Sequence, residues 1–412
     1  MIKSEILSPA GDLEKLKTAI DYGADAVYMG GADFSLRAGA GGFYFDEMKE
    51  GLAYAHERGR RCYLTVNIFA HNEDIEPLKG FLNKVGPLGF DGYLVSDPGI
   101  LTLLREIIPE GEIHLSTQAN MTNYVTAKFW YDLGVKRLVL ARELSLKEIR
   151  EIRDSIPEDM ELEAFIHGSM CISYSGRCLL SNFMAERDSN RGACAHPCRW
   201  KYALEEEKRP GEYYPIEEDN RGTYIMNSRD LCMISHLDDL RDAGITSFKI
   251  EGRMKSIFYV ATITNAYRMA MDALEEGNYT EEIKDFTYRE VRKVSHREFT
   301  TGFFYNKPNE EDQNYGSSSY TREYTFTGLV KSYDEESKVA LVEQRNRMFL
   351  GDEIEVFGPG ERFFVQSLDD MRDAETKELL ESAPHPQQML LIKMDKPVKA
   401  GYMLRKKKDE IE

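Results

Sequence analysis

Four thiols stand close together in this chain, Cys171, Cys178, Cys194 and Cys198, in the spacing C-x6-C-x15-C-x3-C, and they are four of only six cysteines in 412 residues. The chain opens Met-Ile-Lys-Ser-Glu, without the apolar stretch of an export signal, so a cytoplasmic location is expected. In that reducing compartment, clustered thiols hold metal or do redox work rather than form disulfides. Zinc sites favour two tight pairs, and only the last pair here is tight. An iron–sulfur cluster also takes four thiolates and tolerates wider spacing. His196, between the last two cysteines, could replace one of them on zinc. Spacing alone leaves iron–sulfur and zinc open. The Gly, Ser, Asn and Arg of the segment suit a loop rather than a core, which argues against four thiols packed as small hydrophobes. Cys232 reads differently. It sits beside Leu231, Ile234 and Leu237 in an apparent helical stretch, and packing is expected of it.

The loop needs a scaffold, and the chain alternates short β-rich runs with amphipathic helical segments. Strands are expected at Glu5–Ser8, Asp25–Gly30, Cys62–Phe69, Gly92–Ser96, Ile113–Gln118, Arg137–Ala141, Leu162–His167 and Ser247–Ile250. Between the first two, Leu13, Leu16, Ala19 and Ile20 repeat at helical spacing, with Asp12 and Gly23 as caps. Eight such units predict a (β/α)8 TIM-like barrel. The seventh is oversized: a βα unit takes roughly 30 residues, whereas the chain from His167 to Ser247 carries all four clustered cysteines as well. The cysteines therefore belong to an insertion, at about residues 169–228, on the barrel face where active sites are built. The expected organisation is a barrel over 1–280, a connecting segment and linker over 281–320, and a small antiparallel β-barrel over 321–412.

Side chains just past the strand ends form the candidate pocket. Arg37, beside Gly39 and Gly41, could present an anion site, and Arg142 and Arg253 offer further planar donors for carboxylate or phosphate. Asn67, His71, Gln118 and Asn120 would add polar contacts to substrate. His167, immediately before the cysteine loop, could shuttle a proton. Glu251 and Arg253 in Lys249-Ile-Glu-Gly-Arg253 share a face of the strand end: Arg253 would hold an anionic group and Glu251 would orient it or move a proton. Phe43, Trp200 and Tyr202 could stack on a base.

Composition narrows the function classes. With 42% hydrophobic residues the chain can bury a large core, and no apolar run is long enough to span a bilayer, so no membrane partner is expected. A formal net charge of -18 argues against polyanion binding by the whole surface but leaves room for a local basic patch. The basic stretches Arg289–Arg297 and Arg405–Lys408 read as solvated faces. Neither a zinc-protease HExxH nor a serine-hydrolase GxSxG is present.

The run from Glu163 through Ile166-His167-Gly168-Ser169-Met170-Cys171 to Ser175-Gly176-Arg177-Cys178 closely resembles the signature of the collagenase-like peptidase family U32. Leu7-Ser-Pro-Ala-Gly11, Gly23-Ala-Asp-Ala-Val-Tyr28, Asn67-Ile-Phe-Ala-His71 and Lys249-Ile-Glu-Gly-Arg253 extend the resemblance across the barrel. Arg187-Asp-Ser-Asn-Arg-Gly-Ala-Cys194, followed by Cys198-Arg-Trp200, is most similar to the branch that makes 5-hydroxyuridine in tRNA. The resemblance implies oxygen-independent hydroxylation at the wobble position, with the tRNA anticodon loop as partner, prephenate as co-substrate and an electron-donor protein alongside. It also implies a 4Fe–4S cluster on Cys171, Cys178, Cys194 and Cys198, with zinc the lesser option. The family name implies a peptidase as the alternative, and a non-catalytic RNA-binding or assembly protein is a third reading.

Overall fold

The computed structural model describes residues 4–31, 42–171, 173–175, 177–187, 189, 194–199, 203–205, 213–215, 229–306 and 321–408. Seven parallel strands come first: β1 (Glu5–Pro9), β2 (Ala26–Met29), β3 (Arg61–Thr65), β4 (Gly92–Val95), β5 (Ile113–Leu115), β6 (Arg137–Val139) and β7 (Glu161–Ser169). A short hairpin, β8 (Ala203–Glu205) and β9 (Tyr213–Pro215), and the strand β10 (Asp230–Cys232) intervene before β11 (Ser247–Ile250). β11 pairs in parallel with both β7 and β1, closing an eight-stranded barrel. The expected strands are all present, most of them shortened at their C-terminal ends, where the chain bends away to form the rim. The helix Leu13–Asp21 is capped as its sequence predicts, with the Asp12 carboxylate accepting the Lys15 N–H at 2.8 Å. Among the described residues, no helix is long and apolar enough to cross a membrane.

The barrel interior is charged at its base. Arg137 reaches Glu5 at 2.6 Å, Glu161 at 2.5 Å and Glu163 at 3.2 Å, and Arg61 also pairs with Glu5. Burial alone would raise the Glu5 carboxyl, but Arg137 and Arg61 outweigh it and hold the group down at about 2. Lys249 completes the network from the cavity side, 2.7 Å from Glu163.

The insertion leaves at the end of β7 and returns as β10, which runs back antiparallel along β7 with Cys232 opposite His167. Cys232 is thus on a strand, not the expected helix. It is buried as expected, 4.0 Å from the Tyr267 hydroxyl, and burial pushes its thiol up to about 12. β12 (Phe299–Thr300) extends this edge beside β10.

The C-terminal module comprises β13 (Tyr324–Asp334), β14 (Val339–Gln344), β15 (Met348–Phe349), β16 (Glu353–Phe357), β17 (Phe364–Ser367), β18 (Met371–Asp373), β19 (Ser382–Ala383), β20 (Met389–Lys393) and β21 (Met403–Lys407). Seven of these make one antiparallel sheet, ordered β17-β16-β21-β13-β14-β20-β18, and β15 pairs with β19. The module is a half-barrel, its ends bridged by the Gln366 amide, which donates to the Lys393 carbonyl and accepts the Asp395 N–H.

Docking of the module onto the barrel overturns one expectation. Arg405, read as part of a solvated basic face, lies on β21, between β16 and β13 inside the sheet, with 0% exposure. It bonds Glu290 of the helix Glu281–Val291 and Glu355 of β16, each at 2.7 Å, and Lys293 joins the same two carboxylates at 2.8 Å. A lone charge cannot stay in that setting, so the pairing ties the two folding units together. Phe258 stacks on Phe326 with ring centroids 5.3 Å apart, and the Tyr22 hydroxyl donates to the Gly401 carbonyl. Replacing Arg405 by Ala leaves two buried carboxylates with Lys293 as their shared cation and only the Tyr324 hydroxyl besides, on Glu355. It should cost about 3 kcal/mol or more of stability in urea unfolding; a loss within ~0.5 kcal/mol, the level of an exposed substitution, would show that the cluster does not hold the module.

Candidate functional site

One cavity of about 1250 Å³ opens at the C-terminal end of the barrel, and its wall comes from three sources. The strand ends contribute Thr65, Asn67, Gln118, Arg142, Lys249, Glu251 and Arg253. The insertion contributes Cys171, Cys178, Cys194 and Cys198, and the C-terminal module contributes Arg322, Tyr324, Arg347, Phe349 and Lys408. Among the described lining residues, nine are Lys or Arg against two acids, Glu251 and Asp352, so a chain of net charge -18 concentrates positive charge here.

The strand ends position the polar floor. Arg253 is buried, and its Nη1 donates to the Thr65 hydroxyl at 3.1 Å, while Thr65 in turn donates to the Met29 carbonyl. Arg142 donates to the Ser169 carbonyl at 2.6 Å and lies 4.0 Å over the centre of the Phe165 ring. Asn67 donates to the Ser116 hydroxyl at 2.9 Å, and its Oδ1 is buried with no hydrogen-bond partner among the described residues. That amide oxygen is an open acceptor on the cavity wall. Glu251 and Arg253 both face the cavity, as their alternation predicts. Gly252 between them has φ +152, and a Cβ there would meet the Tyr259 ring at 2.6 Å. The glycine therefore makes room for Tyr259, whose hydroxyl donates to the Glu251 carbonyl, rather than for a close approach of substrate.

Other sequence-predicted residues are not brought together. His71 is exposed at the start of the helix Asn72–Val85, its N–H donating to Asp74, and it does not line the cavity. Asn120 adopts φ 52 and closes a turn by donating to the Gln118 carbonyl. Phe43 is 1% exposed and belongs to the core, so it cannot stack on a base. His167 is 2% exposed, outside the cavity, between the rings of Tyr259, Tyr267 and Phe299. Burial pulls its imidazole down to about 3, with His296 and Lys255 adding to the shift. It is therefore neutral near pH 7 and no proton shuttle. Arg37, Gly39, Gly41, Trp200 and Tyr202 lie outside the described residues. Lys249, the module's cations and Arg187 were missed. Lys249 sat inside a quoted motif at a strand end, but only the closed barrel shows its amine at the cavity floor.

The cysteine segment is held by short-range bonds. Ser189 donates to the Cys178 carbonyl at 2.6 Å, the Ala195 N–H donates to the Ser181 hydroxyl, and the His196 N–H donates to Cys194 Sγ at 3.4 Å. Arg177 lies 5.5 Å from the Phe69 ring centre, against the rim beyond β3. All four thiols are free of disulfides and none is fully buried. Among the described residues, no three His, Cys, Asp or Glu side chains are drawn together at metal-holding distance. The donor chemistry fits an iron–sulfur cluster nonetheless: four thiols outside any disulfide line one cavity, and an N–H points at one of the sulfurs.

Residues 11–314 match peptidase family U32, and residues 322–405 match the peptidase family U32 C-terminal domain. The chain belongs to peptidase family U32. This U32 chain is 42% identical over 406 residues to tRNA hydroxylation protein P1 of Bacillus subtilis, covering 98% of this chain and 95% of that protein. It is 38% identical over 403 residues to tRNA hydroxylation protein P of Escherichia coli, covering 87% of each. A collagenase of Porphyromonas gingivalis is 32% identical over 380 residues, covering 89% of this chain and 90% of that one.

The depressed value of His167 gives a signed pH prediction. A histidine whose folded value is lowered stabilises the fold above its ordinary value of 6.5, and that contribution disappears as pH falls toward 3. His167→Gln should therefore lose less stability than the parent between pH 7 and pH 5 in urea titrations. An equal or larger loss would mean that the imidazole is charged in the folded protein.

Proposed function

We propose that this U32 protein is an RNA-modifying enzyme that hydroxylates RNA, and specifically that it installs 5-hydroxyuridine at the tRNA wobble position in an oxygen-independent, prephenate-linked reaction. The observation that carries the reading is the shared cavity: four clustered thiols, a cationic floor and a cationic outer wall meet in a space larger than a small-molecule site of ~300–1,000 Å³. The two relatives named tRNA hydroxylation proteins, aligned over nearly their whole length, support it.

Placement on the cavity supports a role for each group. Cys171, Cys178, Cys194 and Cys198 would hold a 4Fe–4S cluster, which when bound supplies one-electron chemistry beside the substrate. Arg142 and Arg253, planar donors on the floor, would hold the carboxylates of prephenate. Asn67 and Gln118 present amides to the polar edge of a base, Asn67 with an acceptor to spare. Glu251, beside Arg253, would orient the bound anion or move a proton. Arg322, Arg347 and Lys408 line the module side, where the phosphates of an anticodon loop would run. A loop base can be splayed into the cavity without breaking a duplex. The module thus contributes wall residues to the site directly.

Three outcomes check this reading. Alanine at any one of the four cysteines should lower iron and bleach visible absorption in anaerobically purified protein, whereas Cys62→Ala and Cys232→Ala should not; unchanged iron in all four variants removes the cluster. Arg253→Lys keeps charge but loses the planar contact, and it should abolish wobble hydroxylation, measured by nucleoside mass spectrometry, in a folded protein with normal iron. Normal hydroxylation would return Arg253 to a structural role. On the outer wall, Arg347→Glu with Lys408→Glu should weaken tRNA binding and flatten its salt dependence by about one to two logarithmic units of slope. The collagenase relative favours a second reading, peptide hydrolysis; cleavage of gelatin by the cysteine-to-alanine variants at the parent rate would support it.

A further inference from the structure

Of the charged network at the barrel base, Lys249 alone lines the cavity among the described residues. Its Nζ donates to Glu163 at 2.7 Å and stands 4.5 Å from the centre of the Tyr28 ring and 5.5 Å from that of Phe165. Arg142 packs on the same Phe165 ring, and Arg253 is close enough to repel the Lys249 charge. Glu163 does not depend on this lysine for partners, since Arg137 Nη1 at 3.2 Å and the Ser247 hydroxyl at 3.1 Å also reach it. A lysine serving only as counter-ion could stay inside the barrel with those groups; this one ends at the cavity floor, between aromatic rings and beside two guanidinium groups. Burial lowers its ammonium value, Glu163 opposes that, and Arg137 and Arg253 add to the lowering. Desolvation and neighbouring cations are what turn a lysine into an amine nucleophile.

We propose that Lys249 is a further catalytic residue, which captures the keto carbon of a small 2-oxo carboxylate as an imine while Arg142 and Arg253 hold the carboxylates. The inference rests on the prephenate-linked reading above, prephenate being a 2-oxo acid, and deepens it by naming the bond formed. The ammonium passes one proton to the Glu163 carboxylate. The freed lone pair forms the C–N bond as the C=O π pair moves onto oxygen, and that oxygen takes a proton from the nitrogen. Glu163 then returns its proton to the hydroxyl, which leaves as water while the nitrogen lone pair forms C=N. The product is an iminium beside the Glu163 carboxylate, with charge conserved and neither oxidant nor reductant consumed. Such an iminium draws electron density from the carbons next to it and activates them for bond cleavage.

Reductive trapping tests this on the full-length protein. The protein is incubated with prephenate, or with phenylpyruvate as a stable probe, in the presence of sodium cyanoborohydride and without tRNA, and modified lysines are mapped by peptide mass spectrometry. A secondary amine concentrated on Lys249, dependent on both reagents and lost completely in Lys249→Arg, is the expected result. No adduct on Lys249 at saturating oxo acid, or adducts spread evenly over surface lysines, overturns the proposal; neither outcome depends on how the variant folds, because both are read on the parent protein. Wobble hydroxylation by the same preparation is measured in parallel. Hydroxylation without trapping removes the imine and leaves the RNA reading standing, whereas trapping without hydroxylation does the reverse.

Discussion

The buried Arg137 guanidinium, shared between Glu5, Glu161 and Glu163, is the constraint on which the barrel depends. These groups come from β1, β6 and β7, and Ser247 of β11 bonds Glu5 and Glu163. None can be left unpaired in a medium that poorly solvates charge, because each stranded ion would cost several kcal/mol. The register of four strands is therefore coupled at one point, where Glu5 faces Ser247 across the seam that closes the barrel. Slipping β11 by one residue would turn Ser247 and Lys249 outward together and leave Glu163 with fewer partners. Because that register is fixed, so is the end of β11, and with it the placement of Lys249, Glu251 and Arg253 on the cavity.

A second set of buried charges does for the outer wall what the first does for the floor. Arg405 and Lys293 against Glu290 and Glu355 hold the half-barrel on the last helices of the barrel. The module's cations then face the same space as the strand ends. On the RNA-modifying reading proposed above, an acidic chain with a basic concavity would repel polyanions over most of its surface and admit them at one place.

The cysteine segment is positioned at both ends by β structure. It leaves at the end of β7 and returns along β10, so the thiols must hang over the mouth of the barrel. Its internal order comes from hydroxyl groups, with Ser181 and Ser189 bonded to the backbone around Cys194 and Cys178.

The barrel, the insertion after the seventh strand and the membership of the four thiols in one loop were legible in the sequence because each rests on local information: hydrophobic periodicity, cap residues, surplus length and spacing. The β character of the module was legible for the same reason, but its short strands β15, β18 and β19 were not, and the basic run of β21 looked like a solvated face. Only tertiary structure decided what the charged and polar residues do. Arg405 and Arg137 carry the same side chain as Arg142 and Arg253, yet two are buried ion-pair partners and two line the cavity, because exposure is set by elements distant in the chain. Likewise His167 became a neutral core residue and Asn120 a turn, while Lys249 gained a place at the cavity floor. Sequence fixes a residue's chemistry and its strand, but burial, partner and proton affinity depend on which distant groups the closed barrel sets beside it.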